Sequence, residues 1–190
     1  MVKFYKVSEK DLLLVRNNIF TEVGIPTLIE NGYCKSPFSG SWFGKNNLGD
    51  FTYESCRVSQ NSHLEIILTH ISKGDIWIKI YLNIFKLHPI LKDCDQLKNS
   101  DGLKFSLPPN NLSRMRLRID DFKGIPLFRT VEHKIGSFHT QSGFESQVLK
   151  LKELIKTDMT HIDKFVNRWH ELHKINMTDW EGNLIPKATH

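Results

Sequence analysis

The sequence predicts an α+β fold, a mainly antiparallel sheet of about five strands with N-terminal and C-terminal helices packed on one face. Three observations carry this expectation. From Asp75 to Leu87 the chain alternates with period two, placing Ile76, Ile78, Ile80, Leu82 and Ile84 on one side and Trp77, Lys79, Tyr81, Asn83 and Phe85 on the other. His63 to Ile71 has the same character, so the two stretches read as neighbouring strands joined by a tight turn. From Phe144 the period becomes helical, with Phe144, Val148, Leu151, Ile155, Met159, Ile162, Phe165, Trp169, Leu172 and Ile175 recurring every three or four residues. A row of aliphatic side chains as long as that of the second strand would aggregate in water, so it belongs under the helices.

Taken in order, Ser8 followed by Asp11 is an N-cap with an acidic N3 residue, opening a helix from Asp11 to about Phe20 along the stripe Leu12, Val15 and Ile19. Gly24, Pro26 and Gly32 punctuate the next stretch, leaving room for a short helix over Thr27 to Asn31. Tyr33 to Asp50 is rich in Gly, Ser and Asn yet holds Phe38, Trp42 and Phe43, which makes it a long loop that either packs on the body or binds something. Phe51 to Val58 and Leu64 to Ile71, separated by turn residues Ser59 to Ser62, complete an antiparallel meander with the strand over Asp75 to Leu87.

Ile90 to Asn111 shows little periodicity. Ser113 to Asp120 alternates again, Arg114, Arg116 and Arg118 against Met115, Leu117 and Ile119, and Leu127 to Ile135 reads as its return strand. The closing helical stretch carries a break at Thr157 to Thr160, where Thr160 and Asp163 recap a second segment. The tail from Asn176 to His190 reads as attached mainly at Trp180.

The 190 residues suffice for one domain with a real core, and 39% hydrophobic with 25% charged residues is ordinary for a soluble protein. A net charge of +5 permits an anionic partner without demanding one. Cys34, Cys56 and Cys94 are odd in number and lack the close spacing of a metal knuckle or redox pair, so we expect reduced thiols, no metal and no cofactor. No apolar core of a signal peptide lies in the first ten residues, and the longest apolar stretch is interrupted by Lys79, Asn83 and Lys86. The expectation is a cytoplasmic protein with no membrane partner.

Motifs for chemistry are sparse. Gly40 to Lys45 has three residues between its glycines and Asn46 after its lysine, where a phosphate loop needs four and a Ser or Thr. His170 and His173 are three apart, whereas a zinc peptidase helix sets its histidines four apart. A closer match is Asp120 or Asp121 with Glu132 and Lys134, since metal-dependent nucleases hold a divalent ion with two carboxylates and orient the attacking water with a lysine. An in-phase hairpin would instead set Arg114 or Arg116 opposite Glu132 as a cross-strand ion pair. The pairing needs no catalysis.

A binding surface is the stronger expectation. Arg114, Arg116 and Arg118, with Lys79 and the aromatic Trp77, Tyr81 and Phe85, would make a basic and aromatic sheet face if both rows lie on one side, and Trp42 and Phe43 extend the candidate set through the loop. The partner expected is another protein, with nucleic acid as the alternative.

One resemblance adds to this. The order of an opening helix, Gly32-Tyr33, a strand ending Leu82-Asn83-Ile84-Phe85 before His88-Pro89, and a closing helix with Leu154-Ile155 and Ile162 to Phe165 resembles a family of small uncharacterised bacterial domains. Some of that family are encoded near polymorphic-toxin immunity genes. The resemblance spans Asp11 to Ile175, implies an α+β fold and a partner-neutralising, immunity-type binding role, and assigns no catalytic residue.

Overall fold

The computed structural model describes residues 5–122 and 131–186. At its centre β3 (Phe51–Val58), β4 (His63–Ile71) and β5 (Lys79–Leu87) form the expected antiparallel meander. β1 (Cys34–Lys35) and β2 (Phe43–Lys45) both pair with β3, so the expected long loop is in part sheet edge. β6 (Met115–Arg116) pairs antiparallel with β5, and β7 (Asn176–Thr178) pairs parallel with the far end of the same strand. The tail is therefore tied into the sheet as well as through Trp180, whose indole N–H donates to the Pro89 carbonyl at 2.7 Å.

Ile78, Ile80, Leu82 and Ile84 are fully buried, as the alternation requires. Ile76 is not: it is 40% exposed. The chain between β4 and β5 is a longer connection than a tight turn, and the Asp75 carboxylate takes the N–H groups of Ile76 and Trp77 at 2.7 and 3.2 Å. Those amides are spent on a local cap, so the strand begins only at Lys79.

Helices cover the aliphatic face. The Ser8 hydroxyl accepts the Asp11 N–H at 3.1 Å and opens α1 (Glu9–Ile19). The helix does not stop at the Gly24 and Pro26 punctuation but runs through a π-helical turn, Phe20–Gly24, into α2 (Ile25–Glu30). Proline lacks a donor, and widening the preceding turn lets the helix accept it. Gly24 is required there, because a Cβ would come within 2.5 Å of the Phe20 ring. At the other end, α4 (Gln141–Thr160) is capped by Thr140 and followed by α5 (Ile162–Leu172). The break falls at His161, one residue beyond the expected Thr160, with no side-chain cap. Leu13, Phe20, Leu28, Ile155, Met159 and Trp169 pack onto Ile67, Ile80, Leu82 and Ile84 in the main core.

The opposite face carries a second core over only part of its area. Leu64, Ile66, Phe85 and Leu87 are covered by Phe38 and by Leu91, Cys94, Leu97 and Phe105. Most of these covering residues come from the stretch without periodicity, which contains a 3₁₀ turn (Cys94–Leu97) closed by an Asp93–Gln96 capping box and the short α3 (Leu103–Ser106). Phe105 stacks on Phe38 and meets Phe85 edge-on, with centroids 5.3 and 4.8 Å apart. Each short piece buries one or two side chains downward, a pattern with no period to read.

Two expected strands are corrected. Ser113 to Asp120 shrinks to the two residues of β6, because Arg118 takes φ +63° and the Asp120 carboxylate captures the Arg116 N–H at 2.7 Å, closing a turn. Of Leu127 to Ile135, residues 127–130 lie outside the described part. The remainder follows Ile76 to Ile78 by way of Ile78 N–H to His133 O (2.8 Å), Ile135 N–H to Ile76 O (3.1 Å) and a single Trp77–Lys134 bridge, and is not a regular strand.

Candidate functional site

The second core leaves the start of β5 and its neighbours uncovered, and there the arginine and aromatic rows meet. Met115 is fully buried towards the main core, so the pleat turns Arg114 and Arg116 to the opposite face. Arg116 stands opposite Tyr81 in the ladder. The Arg114 guanidinium lies 4.6 Å from the Tyr81 ring centroid, and the Trp77 ring carries Arg116 at 5.9 Å and the Lys134 ammonium at 5.8 Å. All of these side chains are half-buried. Neither Arg114 nor Arg116 forms an ion pair among the described residues.

The neighbouring charges are paired. Lys79 bonds to Asp75. Burial pushes the Asp75 carboxyl up, but the Lys79 ammonium and the amides of Trp77 and Ile76 outweigh it and hold the group below the usual carboxylate range. Glu132 accepts the Trp77 indole N–H at 2.8 Å and lies 3.3 Å from the Lys134 ammonium. The expected Arg–Glu pair across a hairpin is thus replaced by a Trp–Glu–Lys contact.

Arg118, the third of the row, departs from it. Its positive φ turns the guanidinium to Asp158 on α4, with a further bond to the Val131 carbonyl at 3.1 Å. His133 Nε2 meets the same carboxylate at 2.6 Å, and His133 and Asp158 are both buried. Burial drives the His133 pKa down and the Arg118 charge adds to this, outweighing the opposite pull of the Asp158 carboxylate. Burial also pushes Asp158 up, yet its bonds to Arg118 and His133 win and hold it below the ordinary range. This knot fastens the 131–135 segment to α4.

The loop aromatics separate. Phe43 meets Tyr53 edge-on at 5.3 Å and packs against the main core, which makes it structural, whereas Trp42 remains 45% exposed. The nuclease set is not assembled: Asp120 is committed to the Arg116 amide and Glu132 to Trp77 and Lys134. Asp121 is partly buried, and burial raises its pKa. Among the described residues, no group of three ligand atoms within 4.8 Å of one another includes any of these carboxylates. His170 lies on α5 beside Trp169, 5.8 Å from the His63 ring. The Gly40 to Lys45 stretch runs into β2.

Two constellations escaped the sequence. Glu65 is buried on the helix-covered face of β4, where its carboxylate accepts the Tyr33 hydroxyl at 2.6 Å and Arg57 Nε at 2.8 Å. Arg57 lies over the Tyr33 ring at 4.5 Å and continues to Asn31 O and Asp163, on one wall of a polar cleft of about 540 Å³. The available signal was a glutamate inside the run Leu64 to Leu68, which cannot be buried without partners. The second is sulfur: Cys34, Cys56 and Cys94 converge, although their spacing along the chain conceals it.

Fold and surface together define the class: an α+β protein with a helix-backed antiparallel sheet and a half-open, cation- and ring-bearing sheet face. Compared with protein-family models, curated proteins and solved structures, the chain has no match. No helix among the described residues is long and apolar enough to cross a membrane.

Proposed function

We propose that this chain is a non-enzymatic binding module whose working surface is the open half of the sheet, and that its partner is a protein presenting carboxylates. The observation that carries the reading is the placement of Arg114 and Arg116, each beside an aromatic ring and each without an ion pair among the described residues. A guanidinium resting on a ring keeps its in-plane N–H groups available, and that fork matches a carboxylate or phosphate in two-point contact. The ring also limits its motion beforehand, so less freedom is lost on binding. The resemblance to domains encoded near immunity genes supports a partner-neutralising role for the same face.

Nucleic acid is the second reading, favoured by the same cations and rings. Two features weigh against it. Tyr81 and Trp77 already carry cations on their rings, which takes up surface a base would stack on. Asp75 and Glu132 stand among the cations and repel a phosphate backbone, whereas a protein partner can answer mixed charge with mixed charge.

The test is fluorescence anisotropy at low salt with a labelled poly-glutamate peptide and a labelled oligouridylate of equal length. The peptide is expected to bind, and Arg114→Ala with Arg116→Ala to weaken it by about tenfold or more, with an unchanged melting temperature. Preference for the RNA would overturn the protein reading, and binding indifferent to the double substitution would remove this face altogether. Mg²⁺- or Mn²⁺-dependent cleavage of a plasmid, lost in Glu132→Ala, would make the chain an enzyme instead.

A further inference from the structure

All three cysteines of the chain, Cys34, Cys56 and Cys94, bring their sulfurs within 4.8 Å of one another. Three elements deliver them. Cys34 lies in β1 directly opposite Cys56 of β3, and Cys94 opens the 3₁₀ turn laid across that face of the sheet, oriented by the Asp93–Gln96 capping box. Cys56 is fully buried, Cys94 is 9% exposed and Cys34 is exposed. The sulfur triangle is closed by the second core on one side and open beside Cys34.

Two simpler readings fall short. Thiols serve well as small apolar core residues, which accounts for Cys56 and Cys94 in the second core. It does not account for Cys34, an exposed edge residue whose sulfur nonetheless turns to within 3.5 Å of the Cys56 carbonyl oxygen. A Cys34–Cys56 disulfide is the other reading. The Ser36 N–H bonds to Glu54 O at 2.9 Å, which puts Cys34 and Cys56, two residues along the same antiparallel ladder, at a hydrogen-bonded position. Cβ atoms at such positions stand about 5.5 Å apart, wider than the ~3.5–4.5 Å a disulfide takes. A bridging ion has no such requirement. With Zn–S bonds of about 2.3 Å in a tetrahedral site, sulfurs sit roughly 3.8 Å from one another, within a small side-chain adjustment of the observed triangle.

We propose that Cys34, Cys56 and Cys94 form a three-thiolate site for a zinc ion, with the fourth position open to water on the Cys34 side. Thiolate ligands select soft and borderline metals over magnesium or calcium. Charge then decides among the soft ones: three thiolates carry three negative charges, so a divalent ion leaves one uncompensated and copper(I) would leave two beside an apolar core. Asp95, next in sequence to Cys94, is engaged elsewhere, with its side chain 77% exposed and 3.2 Å from Lys98. Binding forms three Zn–S bonds and releases the protons that the three cysteines still carry as thiols, with no redox change. Because the ligands come from the sheet edge, the central meander and the overlying turn, the ion would clip the second core together.

The experiment uses the full chain, reduced and stripped of metal with a chelator. Zinc titrated in competition with a chromogenic chelator is expected to bind at one equivalent, raise the melting temperature and release protons. Cobalt(II) in its place should give thiolate-to-cobalt charge-transfer absorption with the intense visible bands of a tetrahedral site. Cys34→Ser changes an exposed position and leaves the fold intact, and it should lower zinc affinity by about a hundredfold or more, since even changes outside the ligand shell cost 10–100-fold. Failure of the folded, fully reduced protein to take up one equivalent of zinc would overturn the proposal. So would wild-type affinity in Cys34→Ser, stoichiometric copper(I) uptake without zinc uptake, or a disulfide among these cysteines in protein isolated without reductant.

Discussion

Glu65 shows how one residue sets the terms for its neighbours. A carboxylate on the buried face of a central strand is tolerated only because Tyr33 and Arg57 both donate to it. Glu65→Ala should therefore cost about 2–4 kcal/mol, by leaving the buried Tyr33 hydroxyl unpaired and taking one charged partner from Arg57, which keeps Asp163 and Asn31 O. Tyr33→Phe removes only one donor and should cost about 1–2 kcal/mol. Urea denaturation of the two variants checks the order. His133 gives a pH dependence whose sign can be worked out. Its folded pKa is lowered by burial, so it contributes stability that is fully present above the unfolded value of about 6.5 and is lost as pH falls below it. Asp158, also lowered, adds a loss only further into acid, below the ordinary carboxylate value. Stability measured between pH 7.5 and 5.5 should decline, by at most about 1.4 kcal/mol per pH unit for this one histidine. His133→Gln should flatten that slope, leaving the smaller contribution of His63, whose pKa is lowered by burial, His170 and Lys86.

At the scale of elements, β5 is the pivot, since it pairs with β4, β6 and β7 and fills both cores. Ile80→Asp places an unpaired charge in the main core and should unfold the protein. Ile76→Lys, four residues earlier on the same alternating row, lies in the capped connection and should shift stability by less than about 0.5 kcal/mol. Circular dichroism melts of the pair would show whether the strand starts at Lys79: equal damage from both substitutions would extend it back to Asp75. Helical propensity was legible from the N-cap Ser8 and from the spacing of Leu151, Ile155 and Met159. The π turn was not, because glycine and proline signal a departure from regular helix without saying whether it ends or only widens.

Across the whole molecule the two faces of the sheet have different work. One is sealed by helices, while the other is half sealed by the segment after β5 and half left to the cation-bearing rings. If that segment is a true second core, Phe105→Ala should cost about 3–5 kcal/mol by opening a cavity between Phe38 and Phe85. A loss under about 1 kcal/mol in chemical denaturation would make it a loosely applied flap.

What the amino-acid order determined by itself was whatever repeats with the backbone's own period. The meander, the aliphatic row from Ile78 to Ile84 and the two helical ends were readable because period two and period 3.6 each bury one face. Even the outward turn of Arg114 and Arg116 follows from the burial of Met115 between them. Tertiary structure alone decided the rest. It sent Arg118 inward to Asp158, put Glu65 beside Tyr33, drew the tail in as a parallel strand, and joined Cys34, Cys56 and Cys94 at one point. Those outcomes depend on side chains far apart in sequence meeting across packed layers, and a buried charge or thiol takes whichever partner the packing brings within reach.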